Sequence, residues 1–379
     1  MKCFTPMVRL YDARAEEYKK ASGEDIKVWQ HIVPRNQIYD RLSQNNNYIR
    51  QVQDKNKELE KKGSPLRYQL IPCKNCFACQ LKYSAEWASR IMWECKRSEH
   101  NYFLTITYDE TNLPIYESFK YIDQDGQEEI YHNDGTWSGT LEPEDMTRFI
   151  NSLRKHFERK GFKDIKYFYC GEYGNQQRNS MGFRPHYHMI LMNCPLDITK
   201  FYDAHLDPKQ KKMHWKSKEL DEIWKKGMID VGEVEFNSAA YVARYCMKKM
   251  MLRGYYNKQD YAKNGKIPEF IRMSRRPGIG MRYYDENKEE IYKYDNVIQK
   301  TIHNNTTVFK PPKAFDKKFK EQFPKRWEEI QQSRQAASER NRKLIEELQK
   351  GISDLELLQR EAEKTTTKAN MLDRINTFE

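Results

Sequence analysis

Apolar positions along this chain alternate between helical and strand periods. Over residues 81–98, Leu81, Ser84, Ala88, Ile91, Met92 and Cys95 recur at helical spacing. Tyr102–Tyr108 (YFLTITY) is then rich in aromatic and β-branched residues, as a strand should be. Residues 109–140 read as an elaborated loop or hairpin, with Asp125-Gly126 and Asp134-Gly135 as turn signals. A helix is predicted from Pro143 to Lys160. Proline suits its first turn, Met146, Phe149, Ile150, Leu153 and Phe157 line one face, and Gly161 follows its end.

Two strands are predicted next, Ile165–Glu172 and Arg184–Met192, joined by the polar, glycine-containing segment Tyr173–Phe183. Residues 230–236 predict another strand, after which Asn237 or Ser238 would cap a helix running to about Met251. Residues 272–284 read as a basic loop. From Lys317 the chain is charged and helical, with Leu344, Leu348, Ile352, Leu355 and Leu358 as a partner-facing stripe. Residues 1–70 mix short apolar runs with polar stretches and define no firm element.

Composition narrows the class. At 379 residues the chain has room for about two or three domains. Only 38% of it is hydrophobic, but aromatics reach 13%, with 25 tyrosines, and large rings supply core volume. A disordered chain is excluded. No stretch approaches the ~18 apolar residues of a spanning helix, so a membrane protein is not expected. Met1–Thr5 opens no long apolar run of the kind that marks a secretory signal. The boundaries divide the chain into an N-terminal cysteine-bearing segment (1–100), a core (101–255), a basic loop region (256–315) and a charged helical tail (316–379).

The net charge of +12 fits an acidic partner, nucleic acid before an anionic membrane, although solubility alone would also account for it. Residues 316–379 hold 14 Lys and Arg against 13 Asp and Glu, so the surplus lies on residues 1–315 and not on a basic tail.

Three groups of residues could carry chemistry. In the strand Arg184-Pro185-His186-Tyr187-His188-Met189, alternation puts His186 and His188 on one face and Tyr187 and Met189 on the other. Two imidazoles on one face can share a divalent metal, with Glu172, at the end of the neighbouring strand, as third ligand. Two His and one carboxylate leave coordination positions open for a phosphate oxygen. The plainer alternative is a pair of histidines satisfied within a sheet.

In Tyr241-Val242-Ala243-Arg244-Tyr245-Cys246-Met247-Lys248, helical spacing puts Tyr241 and Tyr245 on one face, with Arg244 and Lys248 on the same stripe. Two phenols beside two cations suit nucleophilic attack on a phosphodiester, the cations stabilising the charge that develops. Two tyrosines packed into a core would show the same spacing.

Cys73-Lys74-Asn75-Cys76-Phe77-Ala78-Cys79 has the spacing of a metal or redox site. A structural zinc needs a fourth ligand, for which Cys3 and Cys95 are available and His100 is a weaker choice. Cys170, Cys194 and Cys246 fall in apolar segments and read as buried.

The order of these groups resembles the rolling-circle replication endonucleases of the HUH superfamily. Within it, the chain is similar to replication initiation proteins of the microviruses, of the gokushovirus type. The resemblance rests on Cys3, Pro72-Cys73-x-x-Cys76-x-x-Cys79, Trp87, Cys170-Gly171-Glu172-Tyr173-Gly174, the His186-Tyr187-His188 strand, Tyr241–Tyr245 and Ser274-Arg275-Arg276-Pro277-Gly278-Ile279-Gly280. It covers most of residues 1–300 and fades in the tail.

The resemblance implies an α+β fold, a central antiparallel sheet flanked by helices and ferredoxin-like in outline. It implies nicking of viral origin DNA, single-stranded or in the supercoiled replicative form. His186, His188 and Glu172 would hold Mg²⁺ or Mn²⁺, and Tyr241 or Tyr245 would attack to give a 5′-phosphotyrosine and a free 3′-OH. Arg244 and Lys248 would meet phosphate, and Arg184, Lys249, Arg275 and Arg276 would bind the strand.

The expected partners are a host helicase and DNA polymerase, in the cytoplasm of a bacterial host. No Gly-x4-Gly-Lys-Ser/Thr is present, so the chain carries no Walker-type helicase of its own. A related transposase or relaxase, or a non-enzymatic zinc-containing DNA-binding regulator, are the alternative readings.

Overall fold

The computed structural model describes residues 7–11, 21–23, 29–31, 68–72, 77–122, 127–133, 139–174, 184–207, 212–235, 238–239, 242–243, 258–300, 306–348, 360, 363–364 and 367. The chain forms two compact units, residues 1–82 with 343–379, and residues 83–342. In the first, strands β1 (Met7–Tyr11), β2 (Trp29–His31) and β3 (Tyr68–Ile71) form an antiparallel sheet in the order β2-β1-β3. Sequence patterning had defined none of them.

Helix α1 (Phe77–Cys95) comes next in the chain, followed by β4 (Tyr102–Thr107) and an antiparallel pair, β5 (Ser118–Ile122) and β6 (Glu128–His132). Helix α2 (Pro143–Arg159) precedes β7 (Lys166–Tyr173) and β8 (Pro185–Met192). Then come β9 (Phe201–Asp207), β10 (Lys212–Ser217), α3 (Lys218–Trp224) and β11 (Ile229–Glu233). The last elements are α4 (Lys258–Lys263), β12 (Phe270–Met273), α5 (Met281–Tyr294), the pair β13 (Val297–Lys300) and β14 (Thr306–Phe309), α6 (Lys313–Gln322) and α7 (Pro324–Leu348).

Seven strands make the central sheet, in the order β12-β7-β8-β4-β11-β10-β9, every neighbouring pair antiparallel. The α+β class and the antiparallel sheet are as expected. Strand β8 is interior, paired with β7 on one side and β4 on the other. Both its faces are covered, which is why its sequence ends in the unbroken apolar run Met189–Met192.

One face packs on α2 and α3. Met146, Phe149, Ile150, Leu153 and Phe157 of α2 meet Leu104, Tyr169, Tyr187, Met189 and Leu191 of the sheet. Helix α2 starts where its sequence predicted. Pro143 fills the first position, and the Glu142 side chain accepts from the Glu144 N–H at 3.0 Å.

The opposite face packs on α1 through Trp87, Ala88 and Ile91, which meet Phe103, Phe168, Cys170, Ile190 and Met192. Ala239, Val242 and Ala243 join this same cluster. Residues 238–239 and 242–243 are helical. Ser238 is not the capping residue but reaches back to Glu235, accepting from its N–H at 2.8 Å while Ala239 N–H donates to the Glu235 carbonyl. Asn237 lies outside the described residues.

Residues 272–284 are not one loop. Arg272 and Met273 belong to β12, and Met281–Tyr284 open α5. Between them the chain docks on α1. The Arg90 guanidinium donates twice to the Ile279 carbonyl, at 3.0 and 2.9 Å, and the Gly280 N–H donates to Glu94 at 2.7 Å. The tail begins as part of the folded body: Phe315 and Phe319 are buried with Trp93, Tyr284, Ile291 and Tyr292. Of the leucine stripe, Leu344 is exposed, and Ile352, Leu355 and Leu358 lie outside the described residues.

Candidate metal centre

The ladder between β7 and β8 sets the site. Glu172 pairs directly with His186, and Cys170 with His188. On the other side His188 pairs with Thr105 of β4, and His186 with Thr107. Directly opposed residues share a face of the sheet. Glu172, His186, His188, Thr105 and Thr107 therefore share the face that α1 and Val242–Ala243 cover further along, while Tyr187 and Met189 face α2. The predicted alternation holds.

The side chains converge. Glu172 Oε1 lies 2.9 Å from His186 Nε2 and 2.8 Å from His188 Nε2. One donor atom from each of the three lies within 4.8 Å of the others. Behind them, His186 Nδ1 is 3.2 Å from the Arg184 carbonyl and His188 Nδ1 is 3.1 Å from Thr105 Oγ1. A carbonyl only accepts, so His186 carries its proton on Nδ1 and directs the Nε2 lone pair at Glu172. Two lone pairs would then face each other unless a proton or a metal ion stood between them. A bond from the far nitrogen is also how metal-binding histidines are held in the correct tautomer. His188 is braced further by Phe103, which stacks on its ring with 5.4 Å between centroids.

Glu172 is fully buried, and its Oε2 has no hydrogen-bond partner among the described residues. Burial by itself pushes the carboxyl up, but the flanking His188 and His186 outweigh burial and hold it down at about 2. A buried, ionised carboxylate with one orphaned oxygen and two imidazoles beside it is a donor set that fits a divalent cation. Thr105, which sequence reading missed, is part of this centre. Its only signal was its place in a strand whose pairing with β8 had first to be known.

Other predicted residues are placed as follows. Arg184 precedes the histidine strand, and its guanidinium donates to the Tyr108 carbonyl at 2.6 Å and pairs with Glu110. Arg275 and Arg276 are exposed, in the turn after β12. That turn adjoins Tyr167, since Ser274 N–H donates to the Tyr167 carbonyl at 2.9 Å. Tyr167 is five residues along β7 from Glu172, or about 17 Å, so the structure does not bring this arginine pair to the metal centre. Tyr241, Arg244, Tyr245, Lys248 and Lys249 lie outside the described residues.

So do Cys3, Cys73 and Cys76, while Cys79 sits in the first turn of α1. Cys95 follows it on the same helix sixteen residues later, about 24 Å along the axis, so these two thiols cannot share one ion. Burial pushes the Cys95 thiol up to about 12, consistent with a packed thiol rather than a thiolate ligand. Cys170 and Cys194 are fully buried, as expected, and Cys246 lies outside the described residues. Among the described residues no helix is long and apolar enough to cross a membrane.

Comparison with known proteins agrees with this centre. The replication-associated protein ORF2 family matches residues 101–250, which include β4, β7 and β8. The chain is 37% identical over 254 residues to replication-associated protein ORF2 of Spiroplasma virus 4, covering 67% of this chain and 68% of that protein. It is 25% identical over 260 residues to replication-associated protein VP4 of Bdellovibrio phage phiMH2K, covering 68% and 70%. Replication-associated protein ORF4 of Chlamydia phage 1 is 27% identical over 183 residues, covering 48% and 39%. No solved structure matches.

Proposed function

Since the chain belongs to the replication-associated protein ORF2 family, we propose that it nicks viral origin DNA to initiate rolling-circle replication of a small single-stranded DNA virus. One observation carries this reading. Glu172, His186 and His188 converge on the sheet face against which Val242 and Ala243, the neighbours of Tyr241 and Tyr245, are packed. A metal centre and a tyrosine helix rooted on one face are what phosphodiester transfer to a phenol requires. The antiparallel sheet, with helices on both faces, supports an HUH-type, ferredoxin-like core.

Mg²⁺ or Mn²⁺ held by the three ligands would supply Lewis-acid polarisation of the scissile phosphate. The phenolic oxygen of Tyr241 or Tyr245 attacks phosphorus, the bond to the 3′ oxygen breaks, and the phenol's proton ends on that oxygen. The products are a 5′-phosphotyrosine and a free 3′-OH that a host polymerase extends behind a host helicase. The transfer conserves a phosphodiester, so the reverse reaction rejoins ends without ATP. Two tyrosines one helical turn apart allow one to hold the 5′ end while the other cuts the regenerated origin.

Arg244 and Lys248 offset the phosphate charge. Arg184 and Lys249 meet the strand near the break, and Arg275 and Arg276 meet it further off. Cys3, Cys73, Cys76 and Cys79 would hold a structural zinc. The setting is the cytoplasm of a bacterial host.

The test is incubation with supercoiled replicative-form DNA and Mg²⁺ or Mn²⁺. Nicked circles and a protein–DNA species that survives denaturation are expected. Salt-sensitive binding with no adduct under either metal would instead describe a DNA-binding regulator and overturn the nicking proposal.

A further inference from the structure

The central sheet carries a second trio of metal-ligating side chains that the nicking chemistry does not use. His205 on β9, His214 on β10 and Asp230 on β11 each offer one donor atom within 4.8 Å of the others. The three strands are consecutive in the sheet, with His205 directly opposite His214. Asp230 pairs with Thr105 and so shares the face that bears His186 and His188. Strands β4 and β11 separate β8 from β10, a span of about 14 Å, so the two trios are separate centres.

Each oxygen of Asp230 faces one imidazole. His214 Nδ1 lies 2.5 Å from Oδ2, and His205 Nε2 lies 3.4 Å from Oδ1. His205 Nδ1 is 2.8 Å from the Asp203 carbonyl, which can only accept. That ring therefore keeps its proton on Nδ1 and turns the Nε2 lone pair toward the carboxylate. His214 is only 3% exposed and packs over Gly232, where a Cβ would come within 2.9 Å of its Nε2.

The trio is also open to solvent. The His205 and Asp230 side chains are 41% and 29% exposed, on a depression that Thr105, Thr107, Lys216 and Met228 also line. Lys216 is the nearby cation, and Asp203 engages its ammonium at 2.5 Å. A simple His–Asp hydrogen bond accounts for His214. It does not account for a second imidazole whose lone pair is aimed at the other oxygen.

We propose that His205, His214 and Asp230 form a second divalent-metal site, for zinc or an ion of similar borderline softness, to which imidazole and carboxylate donors are suited. Entry of the ion replaces the His214–Asp230 hydrogen bond, and the displaced Nδ1 proton passes to solvent or to Nε2 of the same ring. Ligands from three consecutive strands would tie β9 and β10 to β11, and the depression leaves room for a fourth, exchangeable ligand. The proposal does not depend on DNA nicking.

The experiment is titration of the chelator-stripped full chain with Zn²⁺, followed calorimetrically, with Co²⁺ as a spectroscopic stand-in. His205→Ala, at a part-exposed position, should remove one bound ion or weaken it at least about tenfold. Asp230→Asn should do the same. His186→Ala should leave that ion in place, and Co²⁺ bound there should show no thiolate charge-transfer band, which separates it from the cysteine cluster. Unchanged stoichiometry and affinity in both His205→Ala and Asp230→Asn would overturn the site. Nicking assays report on the Glu172 centre alone, so the two proposals fail separately.

Discussion

The Thr105 hydroxyl of β4 stands 3.1 Å from Nδ1 of His188, across the strand pair from the ring nitrogen that faces Glu172. It fixes the imidazole that the metal would use without itself reaching the metal. Thr105→Val keeps the shape and removes the hydroxyl. Loss of such a supporting bond typically weakens metal affinity about 10–100-fold. Mn²⁺ titration should show that loss with the fold unchanged by circular dichroism, and equal affinity would remove Thr105 from the centre.

Glu172 makes the centre acid-sensitive. Its carboxyl has an ordinary value of 4.5 and is held at about 2 in the folded chain. A depressed carboxyl stabilises the fold fully above its unfolded value, and this contribution is lost as the pH falls through the folded one. The fold should therefore lose stability between about pH 4.5 and pH 2 more steeply than Glu172→Gln does. Thermal melts across that range would show it, and parallel curves would contradict it. At neutral pH the same substitution should abolish Mn²⁺ binding at this centre.

Tyrosine roles are separable on DNA. Tyr241→Phe with Tyr245→Phe should abolish the covalent adduct, while each single substitution should retain some cleavage or strand transfer. An adduct that persists in the double variant would place the nucleophile elsewhere. Denaturing gels of labelled origin DNA read this directly.

Arg334 pins the start of the tail. Its guanidinium donates to Asp295 at 2.5–3.0 Å and to Asp316 at 2.8 and 3.0 Å, joining α7 to the end of α5 and to α6. Arg334→Ala should cost about 1–2 kcal/mol in urea unfolding, part of the gross interaction being lost to solvent screening. Arg334→Lys should recover only part of it, since an ammonium cannot fork between two carboxylates.

Local periodicity was enough for α1, α2, β4, β7 and β8, because each buries a regular stripe or run. The alternation around His186 and His188, together with Glu172 at the end of the next strand, was enough to propose the metal ligands. Strands β9 and β10 went unread because edge positions such as Tyr202 and Leu206 are exposed and their polar neighbours break the period. Strand β12 was hidden in a basic run, since Arg272 is the exposed residue of an edge strand. The Ser274–Gly280 motif looked like a DNA-binding loop, yet Ile279 and Gly280 are buried against α1 and only the arginines face water. Partners of this kind, such as Arg90 with Ile279 or Thr105 with His188, are far apart in the chain, and no local pattern encodes them.

The eight paired residues of β7 and β8 also separate two design problems. Glu172 and His186 are opposed by the ladder and not by the segment that joins Tyr173 to Pro185. That connection could be lengthened, shortened or exchanged between relatives without displacing a ligand. Whatever the segment reads on a genome is then free to diverge from one virus to the next, while the cutting chemistry stays where the backbone holds it.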